Sequence, residues 1–240
     1  MPGKSYEGRD LEALADMPNY YGWIMNWFGP HVRGRVVEYG AGTGTFSQYL
    51  RPLAKSLSLI EPSVNLHDTL RQKFRNDPLV AIGPMTLEEH VKQTESDAVD
   101  TVVLVNVLEH IEDDAWALSE LSRVVTPGGC ILIFVPALMF LMSPLDTLLG
   151  HFRRYHRAEL KEKLRRAGID IVSCGYFDLP GVVPWFLVNR LLGSTSFNPL
   201  LMRLYDRAVV PIARGAEALV RPPFGKNLIA IGRCTGTPMG

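Results

Sequence analysis

The sequence predicts an α/β fold: a doubly wound, mostly parallel sheet of about seven strands, with an antiparallel last strand and a helical cap insertion. Three observations predict it. Short aliphatic runs alternate with segments of helical spacing between residues 35 and 178, which is typical of strands joined by right-handed crossovers. A glycine-rich loop follows the first of these runs. Residues 179–226 are repeatedly broken by proline but too apolar for a linker, which favours an inserted helical cap.

The length of the chain fits one domain. At 240 residues, it lies below the size of about 250–300 residues at which single cores stop growing. We therefore expect a single domain in four consecutive parts. These are an N-terminal helical lid (1–34), the core (35–178), the apolar helical cap insertion (179–226), and a last strand with a tail (227–240).

The individual elements follow from hydrophobic spacing. Strands are predicted at 35–39, 56–60, 79–82, 101–107, 130–135, 169–176 and 228–232. Helices are predicted at 11–28, with a new start at Pro18, and at 45–53, 64–74, 86–93, 114–124 and 156–167. Glycines mark two of the boundaries: Gly168 closes the last of these helices, and a turn at 127–129 precedes the fifth strand.

Composition narrows the class of partner. Lys plus Arg and Asp plus Glu number 25 each, so no net field favours nucleic acid, and a small molecule is the better expectation. Cys130, Cys174 and Cys234 are far apart without paired histidines, and Asp113 with Asp114 lacks further oxygen ligands. We therefore predict no metal site. The sequence shows neither an apolar leader nor a run long enough to span a bilayer, which predicts a cytoplasmic protein.

The segment 38–44 (EYGAGTG) predicts a nucleoside site. Its glycines permit positive φ and let a ligand lie on the backbone at a helix N-terminus. Dinucleotide enzymes use GxGxxG to seat a pyrophosphate, whereas here every second residue is glycine and Glu38 precedes them. A carboxylate repels a pyrophosphate and attracts sulfonium and ammonium groups. The loop therefore favours a positively charged nucleoside, with a tight turn that binds nothing as the alternative.

Glu61 ends the second predicted strand, about twenty residues after the first glycine. From that position a carboxylate can accept hydrogen bonds from both ribose hydroxyls. Because the glycine loop lies upstream, we favour this role over that of an ordinary surface glutamate.

Two further segments, 100–113 (DTVVLVNVLEHIED) and 123–134 (RVVTPGGCILIF), complete a family resemblance. With EYGAGTG, they resemble the Rossmann-like class I S-adenosylmethionine-dependent methyltransferases, in particular the small-molecule group that includes ubiquinone-type O-methyltransferases. The resemblance implies S-adenosyl-L-methionine as the cofactor. It also implies that Glu38, Gly40, Ala41, Gly42 and Gly44 surround the methionine part, Glu61 and Pro62 the ribose, and Asn106, Val107 and Leu108 the far side.

Two other parts of the implied cofactor site are less regular. Relatives often carry an acidic residue past the third strand for the adenine amino group, whereas this chain has Met85 and Thr86 there. Adenine contacts are then limited to the backbone and the Met85 side chain. In relatives an aromatic residue ahead of the first strand closes over the cofactor. Tyr20 and Tyr21 are the matching candidates, with core packing as the alternative.

His110 follows the fourth predicted strand, at the edge where ligands bind in open α/β sheets. It is a candidate general base for an acceptor hydroxyl. The alternative is that local hydrogen bonds hold this histidine and shape the loop.

The segment 150–156 (GHFRRYH) is cationic and aromatic, which suits an anionic or phenolic acceptor. Its candidate residues are Arg153, Arg154 and Tyr155 for substrate binding, and His151 and His156 as further general bases. The alternative is structural, because His156 lies where the first residue of a helix-capping box would lie. The segment also resembles a GHYRRY-type stretch of some of these methyltransferases, which supports a shared structural role.

The apolar cap is the main indication of the acceptor. Residues this dense in apolar side chains pack on the sheet, line a pocket, or contact a bilayer with Arg190, Arg203 and Arg207 near lipid phosphates. Trp185 is the candidate substrate-binding residue of this segment. We therefore expect a small apolar, phenolic or lipid-like acceptor and allow for peripheral membrane contact, with the oligomeric state left open.

The predicted activity is S-adenosylmethionine-dependent methyl transfer by in-line displacement. Such a reaction requires alignment and exclusion of water more than dedicated acid and base groups. Two alternatives stay open. One is a nicotinamide-dependent oxidoreductase on a similar sheet, and the other is a non-catalytic partner subunit that binds the cofactor and presents its cap to another protein.

Overall fold

The fold is built on one seven-stranded sheet, seen in a computed structural model that describes residues 16–235. The strands are β1 Arg35–Tyr39, β2 Ser56–Ile60, β3 Val80–Gly83, β4 Val99–Val105, β5 Val125–Pro136, β6 Ile169–Phe177 and β7 Asn227–Cys234. Their order across the sheet is β3-β2-β1-β4-β5-β7-β6. Strand β7 is antiparallel to β5 and β6, whereas the pairings among β1 to β5 are parallel. The predicted α/β sheet with an antiparallel last strand is confirmed.

Helices alternate with the strands. They are α1 Pro18–Phe28, α2 Ser47–Leu50, α3 His67–Phe74, α4 Leu87–Gln93, α5 Asp114–Val124, α6 Pro144–Leu148, α7 Arg157–Arg166, α8 Val182–Pro184, α9 Pro199–Leu204 and α10 Val210–Leu219. Short 3-10 turns at Arg51–Leu53 and Val64–Leu66 account for the rest of two longer predicted helices. Helix α1 starts at Pro18 as predicted, and residues 11–15 of the expected first helix lie outside the described residues.

Apolar layers cover both faces of the sheet. Val102 and Ile131 belong to the layer under α4, α5 and α7, whereas Val103 and Leu132 belong to the layer under α1, α3 and α10. Successive strand residues thus alternate between two buried layers, which is why these strands read as unbroken aliphatic runs. Packing on both faces holds the carboxyl ends of the parallel strands at one edge.

The start of β5 differs from the prediction. A turn at 127–129 was expected before a strand at 130, but the strand begins at Val125. Its pairing with β4 shifts register between Val99 and Thr101. The glycines therefore form a bulge within the strand, where Gly128 adopts a φ of 80°.

The insertion between β6 and β7 forms a pair of helices, which we call the cap hairpin (182–219). The first helix continues from α8 through π-helical Trp185–Leu191, and the second joins α9 to α10 through π-helical Tyr205–Val209. Asp206 in the second helix accepts the backbone N–H groups of Asn19 (3.2 Å) and Tyr20 (2.8 Å). The cap hairpin thereby holds the first turn of α1. Within residues 16–235, no helix has the length and apolarity to cross a membrane.

Candidate cofactor and acceptor site

The strand order creates a crevice beside β1. The chain moves outward from β1 to β3 and returns to β4 on the other side of β1, so the loops after β1 and β4 separate at this point. Gly40 has a φ of 66°, and a Cβ there would lie 2.5 Å from Val107 Cγ2. The two loops therefore approach each other more closely than any side chain at position 40 allows.

Glu61 holds the glycine loop against the end of β2. Its Oε2 accepts the N–H of Gly42 at 2.8 Å, and its Oε1 accepts the N–H of Ser63 at 2.8 Å. The side chain is buried. Each carboxylate oxygen has a second lone pair, so the predicted ribose contact remains chemically available. Pro62 lies between Glu61 and Ser63, which this second hydrogen bond joins.

Glu38 is a buried carboxyl group that the protein does not fully satisfy. Its Oε2 has no hydrogen-bond partner among the described residues. Burial raises the pKa of Glu38 to about 8, and the charge of Glu61 adds to the effect, while Ser47 and Lys73 act in the opposite direction. A buried oxygen without a partner is costly, and a cationic group beside it would supply one.

The structure separates the two tyrosine candidates. The hydroxyl of Tyr20 donates to Asp178 Oδ2 (3.1 Å) and Asn227 Oδ1 (3.2 Å), and its ring packs edge-on against Phe177. This is the core-packing alternative. Tyr21 instead packs against Phe46, directly past the glycine loop, with ring centroids 5.9 Å apart. Of the two, Tyr21 is the one beside the loop.

The other implied cofactor residues differ in whether their side chains are exposed and whether they already have hydrogen-bond partners. Thr86 caps α4 through a reciprocal capping box with Glu89, so its hydroxyl already has a partner. Leu108 is fully buried, in the core rather than at the crevice. Asn106 is exposed, at the end of β4, with a φ of 54°. Such a strained backbone is uncommon for a residue other than glycine and is often found at ligand sites.

His110 and His151 form a pair beside the crevice. Their rings meet edge to face with centroids 4.6 Å apart. Burial lowers the pKa of His110 to about 4, and His151 acts in the same direction, so His110 is neutral near pH 7. His151 Nδ1 lies 2.9 Å from Asp146 Oδ1. Although burial opposes it, His151 and Arg154 hold the pKa of Asp146 below its usual range, so Asp146 is the acceptor and His151 Nδ1 is the donor of this hydrogen bond.

A buried glutamate completes this cluster. Glu109 is fully buried, and neither of its carboxyl oxygens has a hydrogen-bond partner within the described part of the chain. Burial raises its pKa to about 7, and Oε1 lies 4.0 Å from His151 Nε2. Glu109, His110 and His151 offer ligand atoms within 4.8 Å of one another, a spacing that suits proton exchange or a cation. The prediction that the protein uses no metal is not tested by this geometry.

Most of the segment 150–156 is engaged in holding the fold. Arg153 pairs with Asp114 at 2.9 Å, and the Tyr155 hydroxyl donates to the same carboxylate at 2.7 Å. Arg154 donates to Asp146 Oδ1 at 2.9 Å. Arg154 and Tyr155 are buried, so an acceptor has no access to them in this structure. The structural alternative describes these residues better than the substrate-binding prediction does.

His156 lies apart from the histidine pair. It is exposed and occupies the N-cap position of α7, as the capping-box alternative predicts, but its side chain makes no capping hydrogen bond. One functional residue, Asp146, was missed by sequence reasoning. Sequence spacing gave no sign that it is the partner of His151. The one available signal is the capping box that Asp146 forms with Ser143 at the start of α6.

Trp185 lines a cavity of about 770 Å³ between the two helices of the cap hairpin. Its indole N–H donates to the Leu141 carbonyl at 3.0 Å, and the Arg154 guanidinium lies 4.5 Å above its ring. The cavity is mostly apolar. Its lining includes Val188, Phe197, Leu201, Leu204, Tyr205 and Lys226.

Comparisons with known proteins identify the family of the chain. A family model described as a methyltransferase domain matches residues 14–174. A probable S-adenosylmethionine-dependent methyltransferase of Mycolicibacterium smegmatis is 40% identical over 138 residues, 57% of this chain and 52% of that protein. A ubiquinone biosynthesis O-methyltransferase of Aeromonas salmonicida is 28% identical over 112 residues, 46% of this chain and 47% of that protein. The chain thus spans about half the length of these two relatives.

Solved structures show the same fold. An S-adenosylmethionine-dependent methyltransferase from Mesorhizobium loti superposes with a TM-score of 0.63 at 18% identity, covering 91% of this chain and 99% of that one. The methyltransferase domain model covers well over half of the sequence. The chain therefore belongs to the class I S-adenosylmethionine-dependent methyltransferase family.

Proposed function

We propose that this protein transfers a methyl group from S-adenosyl-L-methionine to a small apolar acceptor of phenolic or lipid-like character. The observation that carries this proposal is the buried Glu38 carboxyl beside the glycine loop, whose Oε2 has no partner among residues 16–235. A sulfonium or ammonium group would favour the ionised carboxylate and pair with it, whereas a pyrophosphate would keep the carboxyl protonated and gain no ion pair from it. The same reasoning disfavours the nicotinamide-dependent alternative.

The residues around the crevice fit this cofactor. Gly40 packs closely against Val107 and is still exposed to solvent, and Glu61 fixes Gly42 in place. When bound, the cofactor supplies an activated methyl group for in-line displacement by the acceptor. The residues that we propose to hold it are Tyr21, Glu38, Gly40, Ala41, Gly42, Gly44, Glu61, Pro62, Met85, Asn106 and Val107. Tyr20 and Leu108 are omitted because they belong to the apolar layers of the core, and Thr86 is omitted because its hydroxyl accepts the N–H of Glu89.

We assign the acceptor's proton to His110. This imidazole is neutral at physiological pH, since burial lowers its pKa to about 4, and it lies at the carboxyl end of β4. His151 is a positioning residue, because Asp146 fixes its ring and its ring packs against His110. A fixed neighbour restricts His110 to fewer orientations, which favours an aligned acceptor hydroxyl.

The apolar character of the acceptor follows from the cap hairpin. Its cavity is large enough for a small-molecule ligand and offers mainly leucine, valine and aromatic side chains. Trp185 forms the inner wall and contacts the loop that carries Leu141. An apolar acceptor would gain most from this surface.

Product analysis tests the proposed function. The protein is incubated with radiolabelled S-adenosylmethionine and separate fractions of lipids, phenols and polar metabolites. We expect label in an apolar product, and a loss of about 10²-fold or more in His110→Asn but not in the exposed control His156→Asn. Cofactor binding without product in any fraction would instead support the non-catalytic partner subunit. Label confined to polar metabolites would contradict the acceptor class.

A further inference from the structure

The end of the cap hairpin exposes an unusual density of leucine. We define the cap tip as residues 190–204, which comprise the end of the first cap helix, the connecting loop and the start of the second helix. Leu191 and Leu192 are 67% and 77% exposed, and Leu200 and Leu201 are 72% and 61% exposed. Leucines at these positions contribute little to the core of this chain, so the fold itself does not account for them.

The tip is an ordered structure. The side-chain amide of Asn189 donates to the Ser194 carbonyl at 3.1 Å, and Asn198 caps the second helix by accepting the N–H groups of Leu200 and Leu201. The Phe197 ring lies 6.1 Å from the Trp185 ring. These contacts hold the loop against both helices, so the leucines project from a fixed platform.

Exposed charges on the cap are all positive. Its two acidic residues, Asp206 and Glu217, are buried. Asp206 accepts N–H groups from α1, and Glu217 accepts the N–H groups of Asp178 and Leu179. The exposed charged residues of the cap hairpin are Arg190, Arg203, Arg207 and Arg214. Of these, Arg203 also pairs with Asp16.

We propose that the cap tip docks on an anionic phospholipid bilayer, with its leucines among the acyl chains and the exposed arginines of the cap hairpin at the lipid phosphates. Apolar side chains flanked by arginine are what interfacial helices present to such a surface. A second copy of this chain fits less well, because pairing two cap tips would bring together two arginine-bearing surfaces that expose no carboxylate of their own.

The cavity extends from this docking surface toward the side of the protein that holds the histidine cluster, and its use by an acceptor rests on the proposed function. Leu200 and Leu201 of the tip line one end of the cavity, and Trp185 and Lys226 line the other. Beyond Trp185 lies Arg154, which bonds Asp146 of the histidine cluster. An acceptor dissolved in the bilayer would thus enter from the end of the cap that contacts the membrane.

Vesicle sedimentation of the full chain without cofactor tests the docking. We expect the protein to sediment with vesicles of phosphatidylglycerol and phosphatidylcholine in equal parts, and much less with phosphatidylcholine alone. Leu191→Ser with Leu192→Ser should lower the partition coefficient by roughly tenfold or more, since two leucines leave the acyl region. Arg190→Gln with Arg207→Gln should lower it as well and reduce its dependence on salt. The single-substitution controls away from the cap are Leu79→Ser, 49% exposed just before β3, and Arg71→Gln on α3.

Several results would overturn the docking. Wild-type protein that stays in the supernatant with both vesicles would do so, as would equal losses in the tip and control variants. Equal sedimentation with and without phosphatidylglycerol would show that the arginines do not contribute to docking. A dimer in light scattering that the leucine variant dissociates would assign the tip to a second copy. The affinity of each variant for S-adenosylmethionine is measured by calorimetry. A variant that binds the cofactor normally but no longer sediments has lost docking alone, not the cofactor site.

Discussion

At the scale of single residues, the carboxyl groups of Glu38 and Glu61 lie on either side of the glycine loop and have different roles. Glu61 anchors the backbone, because each of its two oxygens accepts one N–H group, from Gly42 and from Ser63, and each keeps a lone pair for a ligand. Glu38 is buried with one oxygen unpartnered within the described residues. The first therefore shapes the loop. The second has a pKa of about 8, so it is mostly protonated near pH 7 in the empty site and would ionise beside a cationic ligand.

Replacing Glu61 should weaken cofactor binding. Glu61→Ala removes charge-assisted hydrogen bonds, so we expect a loss of about 1–3 kcal/mol in binding free energy by calorimetry. Glu61→Gln, which retains the shape, should lose less. Glu95→Ala, at an exposed site, serves as the control. An unchanged affinity in Glu61→Ala would remove this residue from the site.

Glu38 should also make stability depend on pH. Its pKa is about 8 in the folded protein, against an ordinary value of 4.5, so the folded state binds more protons between these values. The free energy of unfolding should then fall as pH rises from about 4.5 to about 8. Glu38→Gln should abolish this part of the decrease, whereas wild type and variant should run parallel below pH 4.5. Denaturant unfolding without cofactor measures the free energy of unfolding of wild type and variant at each pH. Equal dependence on pH in the two proteins between pH 4.5 and 8 would contradict the burial of Glu38.

Residue patterns predicted part of the candidate site. Glu38 and Glu61 could be identified because each lies at a fixed spacing from the glycines. Asp146 and Glu109 could not be identified as partners of His151, because their proximity depends on how the loops after β4 and β5 fold against each other. Likewise, nothing in the sequence distinguished the interior Tyr20 from Tyr21 beside the loop.

At the scale of elements, strands were predicted well because buried parallel strands are short aliphatic runs with a clear end. Element ends were less predictable. Strand β5 starts at Val125 because Val125 pairs with Val99 of β4. The glycines that predicted a turn lie in a bulge within the strand instead. The cationic segment after α6 could be located from its sequence, but its structural role depends on contacts with Asp114 and Asp146.

The junction of the two crevice loops should not tolerate a side chain. Gly40→Ala adds a Cβ 2.5 Å from Val107 Cγ2 at a φ of 66°, so we expect lower thermal stability and weaker cofactor binding. Gly215→Ala is the matched control, since a Cβ at that helical position meets nothing within 4 Å and should be neutral or stabilising. Similar behaviour of the two variants would show that the loops are not closely packed.

The cap helices should affect the acceptor more than the cofactor. Trp185→Ala removes the inner wall of the cavity, so the KM for the acceptor should rise while calorimetric affinity for S-adenosylmethionine changes little. Trp27→Ala, on α1, controls for the general cost of losing a partly buried indole. A larger effect on the cofactor than on the acceptor would mean that Trp185 does not face the acceptor.

At the scale of the whole molecule, distant parts of the chain meet around Asp178. Its carboxylate accepts the hydroxyls of Tyr20 from α1 and Tyr205 from the cap, and pairs with Lys226 before β7. The sequence predicted an apolar helical cap, with a pocket as one alternative, but not its two π-helical stretches. The position of the cavity depends on the packing of two helices whose pairing no local pattern specifies.

The most direct test of the central claim is a calorimetric comparison of two ligands on the intact chain. S-adenosylmethionine should bind, NADH should give no binding heat, and Glu38→Gln should weaken the first interaction without creating the second. This result is expected because a buried carboxyl beside bare backbone selects a cationic nucleoside over a dinucleotide. Binding of NADH with no response to S-adenosylmethionine would contradict the account.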